Sequence, residues 1–144
     1  MIAVDTNILV YAHRKDGPWY AAAQMRVAEL AEGSSPWYIP WPCLHEFLAV
    51  VTHPRVFSPP STIEEGVDQV EAWRESPSLV VLGELEGYWR HLRSTMEGAR
   101  ITGPLVHDAH VAALCLQHGV REIWTADRHF GRFPGIRARN PLTT

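Results

Sequence analysis

The chain has 144 residues, a length that suits one domain, because a single hydrophobic core commonly forms at roughly 100–200 residues. Its hydrophobic fraction of 46% argues against intrinsic disorder, and its net charge of −3 excludes a nucleic-acid binder that depends on overall positive charge. No apolar run reaches the roughly 18 residues of a membrane span and residues 1–5 carry no secretion signal, so we predict one cytoplasmic domain over residues 1–144 with no membrane segment.

The first half of the chain alternates strand-like and helix-like segments. Ile2-Ala3-Val4 is a short apolar run that ends in the turn-forming residues Asp5-Thr6-Asn7, which predicts a buried strand. Ser61-Thr62-Ile63-Glu64 has the spacing of a capping box and predicts the start of a helix. Glycine, proline and apolar patterns predict further helices at residues 19–32, 42–52 and 61–76 and a second strand at residues 37–40.

The second half continues the alternation. Residues 79–82 are apolar and β-branched, which is consistent with another buried strand, and the alanine-rich residues 108–118 before Gly119 predict a strong helix. A helix at residues 88–96 and strands at residues 122–125 and 136–139 complete the set. Strands that alternate with helices form βαβ units, so we predict an α/β fold, a three-layer α/β/α sandwich with a mostly parallel central sheet.

Cysteine and tryptophan add expectations about the core. Cys43 and Cys115 are the only two cysteines, without C-x-x-C spacing, and we predict that both are reduced and buried. Six tryptophans are many for this length. We expect at least half of them to be largely buried, and the rest to suit protein interfaces, where tryptophan is enriched.

Four acidic residues occupy positions that a parallel sheet would bring together. Asp5 and Asp127 each follow a predicted strand, Glu46 lies within the helix of residues 42–52, and Asp108 opens the helix of residues 108–118. Sites in such sheets form beyond the carboxyl ends of the strands. Each acid alone also has a structural interpretation, such as a helix cap for Asp108. The four together predict one acidic site, because acids in apolar segments are costly unless paired, capped or bound to metal.

The chemistry of this site favours a hard divalent cation. Crowded carboxylates repel one another, and Mg²⁺ or Mn²⁺ prefers oxygen ligands and retains several waters. No cluster of cysteine and histidine has the spacing of a structural zinc site. Among eight histidines, His45, His107 and His129 stand beside or near the acids.

The ordered set of motifs resembles the PIN-domain family, and in particular the VapC-type toxin ribonucleases of type II toxin–antitoxin systems. The resemblance covers nearly the whole chain. Each motif alone is weak, whereas their order and spacing are specific. The motifs are Val4-Asp5-Thr6-Asn7, Glu46 in its helix, Asp108-Ala109 at a helix start, and Thr125-Ala126-Asp127-Arg128-His129-Phe130.

The resemblance implies roles for individual residues. It assigns Asp5, Glu46, Asp108 and Asp127 as the catalytic and metal-binding acids. It also makes Thr125 the hydroxyl that orients the last acids and Asn7 the polar residue that braces the first. One departure is His129, because many members carry a further acid two residues after the position of Asp127. This replacement puts a second metal position in doubt, and His129 is left as a tolerated replacement, a phosphate contact or a proton shuttle.

The resemblance also implies a function and partners. The expected activity is Mg²⁺- or Mn²⁺-dependent endoribonuclease hydrolysis of RNA phosphodiester bonds. The expected partners are an RNA substrate, a cognate small antitoxin of the VapB type, and a second copy in a homodimer within a higher toxin–antitoxin assembly. Six cations are candidates for steering the RNA backbone locally: Arg14, Lys15, Arg55, Arg100, Arg128 and Arg132. The sequence does not indicate which RNA is cut.

Two other functions stay open from the sequence. One is a metal-dependent phosphohydrolase in which Asp5 is a covalent nucleophile, although such chemistry usually has a second acid two residues later, where this chain has Asn7. The other is a catalytically inert PIN-like module that binds RNA or protein. A phosphoaspartate trapped at Asp5 would support the first. Full activity of both Asp5→Asn and Asp108→Asn, or full activity in excess chelator, would contradict the nuclease interpretation.

Overall fold

Five short strands form a single parallel sheet. The structure, a computed structural model, describes residues 1–143. The strands are β1 (Ile2–Val4), β2 (Trp37–Pro40), β3 (Leu79–Leu82), β4 (Glu122–Trp124) and β5 (Arg137–Arg139). Their order across the sheet is β3-β2-β1-β4-β5, and every neighbouring pair is parallel.

Six α-helices flank this sheet. They are α1 (Thr6–His13), α2 (Tyr20–Glu32), α3 (Trp41–Val51), α4 (Ile63–Arg74), α5 (Tyr88–Ala99) and α6 (Leu105–Gln117), and a 3₁₀ helix follows at Arg128–Arg132. The predicted α/β fold is confirmed. The central sheet, predicted as mostly parallel, is parallel at every pairing among residues 1–143.

The middle of the sheet positions the site. Strand β1 lies between β2 and β4, and Val4 stands opposite Trp124 in the parallel register. Val4 is fully buried, as expected for a central strand that is covered on both faces. Because β1 and β4 end side by side, Asp5 and Thr125 emerge next to each other at the carboxyl edge of the sheet.

Helix α1 replaces the turn predicted after β1. Asp5 is its N-cap, and Asp5 Oδ1 accepts a hydrogen bond from the Thr6 backbone N–H at 2.8 Å. Aspartate suits both a turn and an N-cap, so the local chemistry did not distinguish the two outcomes. The first acid therefore stands at the junction between a strand and a helix.

The capping box of α4 lies one residue later than predicted. The Thr62 hydroxyl accepts from the Glu65 N–H at 3.1 Å, and the Glu65 carboxylate accepts from the Thr62 N–H at 2.9 Å. The predicted pair was Ser61 with Glu64. Ser61 is instead buried, and its hydroxyl lies 2.9 Å from His13 Nε2. A tertiary contact of the serine thus selects the register of the cap.

Two further predictions are corrected. Helix α6 begins at Leu105, with Pro104 as its N-cap, so Asp108 lies within the first turn and is not the cap. Proline has the backbone angle that a helix start requires, which moves the start upstream. Strand β3 is at the edge of the sheet, and Val80 is 42% exposed, so this strand is only partly buried.

The core confirms the expectations for cysteine and tryptophan. Cys43 and Cys115 are free thiols and both are buried. Trp37, Trp73 and Trp124 are buried, whereas the other three tryptophans are exposed: Trp19, Trp41 and Trp89. Within residues 1–143, no helix has the length and apolar character that crossing a bilayer requires.

Candidate active site

Asp5 is the most buried acid of the site, with 7% of its surface exposed. Its backbone N–H donates to the Trp124 carbonyl at 3.0 Å, which continues the β1–β4 pairing by one residue. Four groups donate hydrogen bonds to its carboxylate. They are the Thr6 N–H (2.8 Å) and the Cys43 thiol (3.5 Å) at Oδ1, and the Asn7 amide (3.2 Å) and the Thr125 hydroxyl (2.8 Å) at Oδ2.

Burial dominates the ionisation of Asp5. It raises the pKa of the Asp5 carboxyl, and the hydrogen bonds from Thr125, Thr6 and Cys43 oppose the rise without cancelling it. The nearby Glu46 carboxylate raises the pKa further. Asp5 is therefore a buried acid that carries its charge at a cost, and a nearby cation would relieve that cost.

Asn7 and Thr125 form a brace between the ends of β1 and β4. The Asn7 amide donates to the Thr125 hydroxyl at 3.1 Å, and the Asn7 carbonyl accepts from the Ala126 N–H at 2.9 Å. Thr125 Oγ1 also accepts from the Asp127 N–H at 3.0 Å. Asp5 and the backbone of Asp127 are thus attached to the same hydroxyl.

Glu46 approaches the site from α3. Its side chain is exposed, and its Oε2 accepts from the Thr6 hydroxyl at 3.3 Å. Cys43 lies one turn earlier on the same helix and contacts Asp5. Helix α3 is therefore attached to the β1–α1 junction at two positions, which sets Glu46 beside Asp5.

Asp108 projects from the first turn of α6 and is half-buried. Its pKa is raised to about 6, chiefly by burial and then by the carboxylates of Asp127, Asp5 and Glu46, while His129 acts to lower it. Like charges act on a carboxyl in this way only at close range. All four predicted acids are therefore electrostatic neighbours.

Asp127 caps the 3₁₀ helix that follows β4. Its Oδ1 accepts from the His129 N–H at 2.8 Å. The His129 ring in turn lies 2.8 Å from Arg132 Nη2. Two more histidines were expected near the acids. His45 stacks obliquely on Trp41 with the ring centroids 6.0 Å apart, and His107 is exposed on α6, next to Asp108.

The donor set suits a cation that retains water. Among residues 1–143, no three aspartate, glutamate, histidine or cysteine side chains are gathered closely enough to enclose a metal ion. Mg²⁺ and Mn²⁺ do not need such an enclosure, because Mg²⁺ is usually held by one or two carboxylates with water and substrate phosphate. The neighbouring carboxylates are hard oxygen ligands, and both burial and the charges of the other three acids raise the pKa of Asp108. The residues present fit Mg²⁺ or Mn²⁺.

Two participants were not singled out from the sequence, because Cys43 was treated as a core residue and Thr6 as part of a turn. Arg132 was named as a candidate for steering the RNA backbone, without its contact with His129. Arg132 follows His129 by three residues, a spacing that places side chains together in a helical turn, so this contact had a signal in the sequence. The contacts of Thr6 and Cys43 with the acids of other elements depend on the tertiary fold.

The fold and the site together define an α/β protein with an acidic centre at the carboxyl edge of a parallel sheet. The PIN domain family model matches residues 2–136. Ribonuclease VapC48 of Mycobacterium tuberculosis is 34% identical over 139 residues, which cover 96% of this chain and 96% of the relative. Ribonuclease VapC43 of the same organism is 34% identical over 142 residues, with coverage of 99% and 96%. The chain belongs to the PIN-domain family, within the VapC ribonuclease toxins of type II toxin–antitoxin systems.

Solved structures show the same fold at low identity. VapC20 of Mycobacterium tuberculosis, described as a toxin that cleaves the sarcin–ricin loop, has a TM-score of 0.67 at 15% identity, with 95% of this chain and 99% of that chain covered. VapBC2 of Rickettsia felis, bound to a promoter DNA fragment, has a TM-score of 0.66 at 21% identity, with coverage of 97% and 98%. These likenesses confirm the predicted fold, and the family match confirms the resemblance seen in the sequence.

Proposed function

We propose that the protein is a Mg²⁺- or Mn²⁺-dependent endoribonuclease whose metal-binding and catalytic residues are Asp5, Glu46, Asp108 and Asp127. The observation that supports this most strongly is that the four carboxylates converge. The Thr125 hydroxyl contacts both the Asp5 carboxylate and the Asp127 N–H, and the Thr6 hydroxyl holds Glu46 beside Asp5. Burial, together with the charges of Asp127, Asp5 and Glu46, raises the pKa of Asp108. A site with this excess of negative charge attracts a divalent cation. Neutralisation of that charge would in turn favour the approach of an RNA phosphate.

Each residue has a distinct part in this proposal. Asp108 and Asp127 offer partly exposed carboxylate oxygens to a cation. Asp5 Oδ2 can join them if it gives up its hydrogen bond from the Asn7 amide. The amide would still donate to the Thr125 hydroxyl. Glu46, whose carboxylate accepts a hydrogen bond from the Thr6 hydroxyl, would orient a water. A bound Mg²⁺ or Mn²⁺ would lower the pKa of a water ligand and neutralise phosphate charge.

The phosphohydrolase alternative has less support. A phosphoaspartate mechanism at Asp5 needs an acid–base group beside the nucleophile, and the position two residues later is Asn7. The Asn7 side chain contacts Asp5, Thr125 and Ala126, and a carboxamide cannot act as a general acid or base. Asp5 itself is 7% exposed, which leaves little room for in-line attack on a substrate phosphate. Hydrolysis by an activated water agrees better with this geometry.

We propose the partners that toxins of this family have: a cognate small antitoxin of the VapB type and a second copy of the chain within a larger toxin–antitoxin assembly. Structures similar to this chain include complexes named VapBC and FitAB. Three large aromatic side chains are available for such interfaces, with exposures of 42% for Trp19, 42% for Trp41 and 64% for Trp89. Exposed tryptophan is unusual on a surface without a partner and common in interfaces.

We propose that residues 1–144 act as one PIN-like domain in the cytoplasm, where RNA substrates are present. Support for one domain comes from the hydrophobic core. Among residues 1–143, a single core cluster includes side chains from all five strands or the segments beside them, from Ala3 to Ile136.

The function can be tested by brief expression of the chain in bacteria followed by mapping of RNA 5′ ends. The expected result is a small set of new ends at defined positions in one class of RNA, together with growth arrest. Asp108→Asn should produce neither effect, whereas the matched control Asp68→Asn, an exposed acid on α4, should match the parent. New ends that persist with Asp108→Asn would contradict the proposal.

A further inference from the structure

His129 is held by Arg132 at two positions. Arg132 Nη2 lies 2.8 Å from the ring nitrogen Nδ1, and Arg132 Nε donates to the His129 backbone carbonyl at 3.1 Å. The His129 N–H donates to Asp127 Oδ1 at 2.8 Å. Both the backbone and the ring of His129 are therefore fixed, although the side chain is exposed.

The contact with Arg132 determines the hydrogen-bonding character of the His129 ring. A guanidinium group has only donors, so Nδ1 must be the acceptor. The ring hydrogen is then on Nε2, which becomes a donor. Among residues 1–143, no hydrogen-bond partner is found for this Nε2, so it is available to a ligand that accepts a hydrogen bond.

The same contact argues against metal binding by His129. A histidine that binds metal through one ring nitrogen usually donates the hydrogen on its other nitrogen to a carboxylate, carbonyl or water. Here the partner of Nδ1 is Arg132, which cannot accept. His129 occupies the position where many family members have a further acid. It is therefore not a substitute metal ligand, because its free ring nitrogen is a hydrogen-bond donor whereas the acid is an acceptor.

The donor lies at the rim of the acidic site. His129 is two residues beyond Asp127, and it acts on Asp108, whose pKa it lowers. The segment is anchored by Phe130, which is fully buried and packs against Phe133 with ring centroids 5.6 Å apart. The position of the His129–Arg132 pair relative to the acids is therefore set by the core.

A phosphate group is the ligand that this pair suits best. The chain has a net charge of −3 and an acidic centre, so RNA needs a local cationic contact beside the carboxylates. A ring N–H next to a guanidinium offers two kinds of donor to phosphate oxygens, and arginine is well suited to phosphate. We propose that His129 and Arg132 form a phosphate-binding pair that holds an RNA backbone phosphate next to the bond to be cleaved.

This inference rests on the proposed ribonuclease function and makes it more specific, so its test separates binding from cleavage. Binding of a fluorescent single-stranded RNA of defined sequence is measured by anisotropy in excess EDTA, over a series of salt concentrations. The variants are His129→Ala, His129→Gln and Arg132→Gln. The control is Arg74→Ala, because Arg74 is exposed at the end of α4, which leads to the opposite edge of the sheet.

We expect His129→Ala and Arg132→Gln to bind the RNA about fivefold to tenfold more weakly, with the salt dependence reduced by about one phosphate contact for Arg132→Gln. His129→Gln should retain most of the affinity, because its amide N–H can replace the ring donor. Arg74→Ala should bind like the parent. A parent affinity in both His129→Ala and Arg132→Gln would overturn the inference.

A second measurement is independent of RNA. The ¹⁵N shifts of the His129 ring, assigned by comparison with His129→Gln, should show the hydrogen on Nε2 in the parent and a loss of this preference in Arg132→Gln. A ring hydrogen on Nδ1 in the parent would overturn the inference. If the parent binds RNA through this pair but never cleaves it with Mn²⁺, the ribonuclease function fails and the phosphate site stands. If the parent cleaves RNA and His129→Ala binds normally, only the phosphate site fails.

Discussion

The thiol of Cys43 donates a hydrogen bond to Oδ1 of Asp5 across 3.5 Å. Burial raises the pKa of Cys43 well above its ordinary value, so the group stays a thiol and remains a donor. A second contact between the same elements joins the Thr6 hydroxyl to Glu46. Because Cys43 and Glu46 lie one turn apart on α3, the thiol helps to set the distance between two acids that belong to different elements.

The first prediction concerns this contact. Cys43→Val keeps the volume and apolar character of the side chain but removes the donor, so Asp5 should hold a cation less well. We expect Mn²⁺ binding, followed by electron paramagnetic resonance, to weaken by about threefold to tenfold, in line with a lost hydrogen bond to a charged group. Cys43→Ser should restore most of the affinity through its hydroxyl.

The chain provides a matched control for the thiol. Cys115 is also buried, and burial raises its pKa to about 12, yet no hydrogen bond joins it to Asp5 within the described part of the chain. Cys115→Val should therefore bind Mn²⁺ like the parent. Equal losses in the two valine variants would mean that both act through packing and would contradict a specific part for Cys43.

The second prediction follows from the raised pKa of Asp108. The folded value is about 6 and the ordinary value is 3.8, so the folded protein binds more protons than the unfolded chain between these two pH values. The stability of the parent therefore falls as the pH rises from about 4 to about 6, and the loss is complete above the folded value. Asp108→Asn should remove this loss.

The size of the effect can be estimated. A shift of two units corresponds to about 3 kcal/mol, which solvent screening at a half-exposed carboxyl reduces to about 1 kcal/mol. In metal-free buffer at pH 7.5, Asp108→Asn should raise the melting temperature by about 2–4 °C. At pH 4 the two proteins should melt alike. A lower melting temperature for the variant at pH 7.5 would show that the Asp108 charge stabilises the fold.

The third prediction concerns the hydroxyl of Thr125. It donates to Asp5 and accepts from Asn7 and from the Asp127 N–H. Thr125→Val has nearly the same shape but removes one donor from Asp5 and leaves the Asp127 N–H without this acceptor, and an unsatisfied buried group costs about 1–3 kcal/mol. We expect the free energy of unfolding in urea to fall by about 2 kcal/mol and RNA cleavage to fall with it, while Thr125→Ser should keep most of both. Unchanged stability and activity in Thr125→Val would show that the hydrogen bonds of the Thr125 hydroxyl support neither the fold nor the site.

The fourth prediction compares His129→Asp with the parent in a Mn²⁺ titration of RNA cleavage. Aspartate at this position adds an oxygen ligand next to Asp127, so half-maximal cleavage should occur at a lower Mn²⁺ concentration. The same variant should bind RNA more weakly in EDTA, because it loses a donor and adds negative charge. An unchanged Mn²⁺ requirement would show that the position does not influence metal binding.

Much of the fold could be predicted because its signals are local. The apolar run before Asp5 and the apolar residues before Asp127 predicted strands, and parallel βαβ connections then brought their carboxyl ends together. The four acids were predicted by the same topology and by the family resemblance. The raised pKa of Asp108 could not be predicted in this way, because burial and the charges of the other acids act on this carboxyl only in the folded chain.

Other features could not be predicted because competing interactions decide them. Asp5 suits a turn as well as an N-cap, and the α1 helix that follows is stabilised by packing of Ile8 and Leu9 in the core. Ser61 matched the capping pattern, but its contact with His13 moved the cap to Thr62. The Cys43–Asp5 contact joins residues far apart in the sequence, and only the docking of α3 against the sheet creates it.

The metal-dependent ribonuclease function is tested most directly by measuring the cleavage of a defined RNA as Mn²⁺ is added from excess chelator. Mn²⁺ binding is measured on the same samples. The proteins compared are the parent, Asp5→Asn and Asp108→Asn. In the parent, RNA cleavage should rise from zero as Mn²⁺ binds. Both variants should stay folded, bind Mn²⁺ weakly and cleave at least about 100-fold more slowly, because several kcal/mol of charge stabilisation is lost. Cleavage in excess chelator, or full activity in both variants, would contradict it.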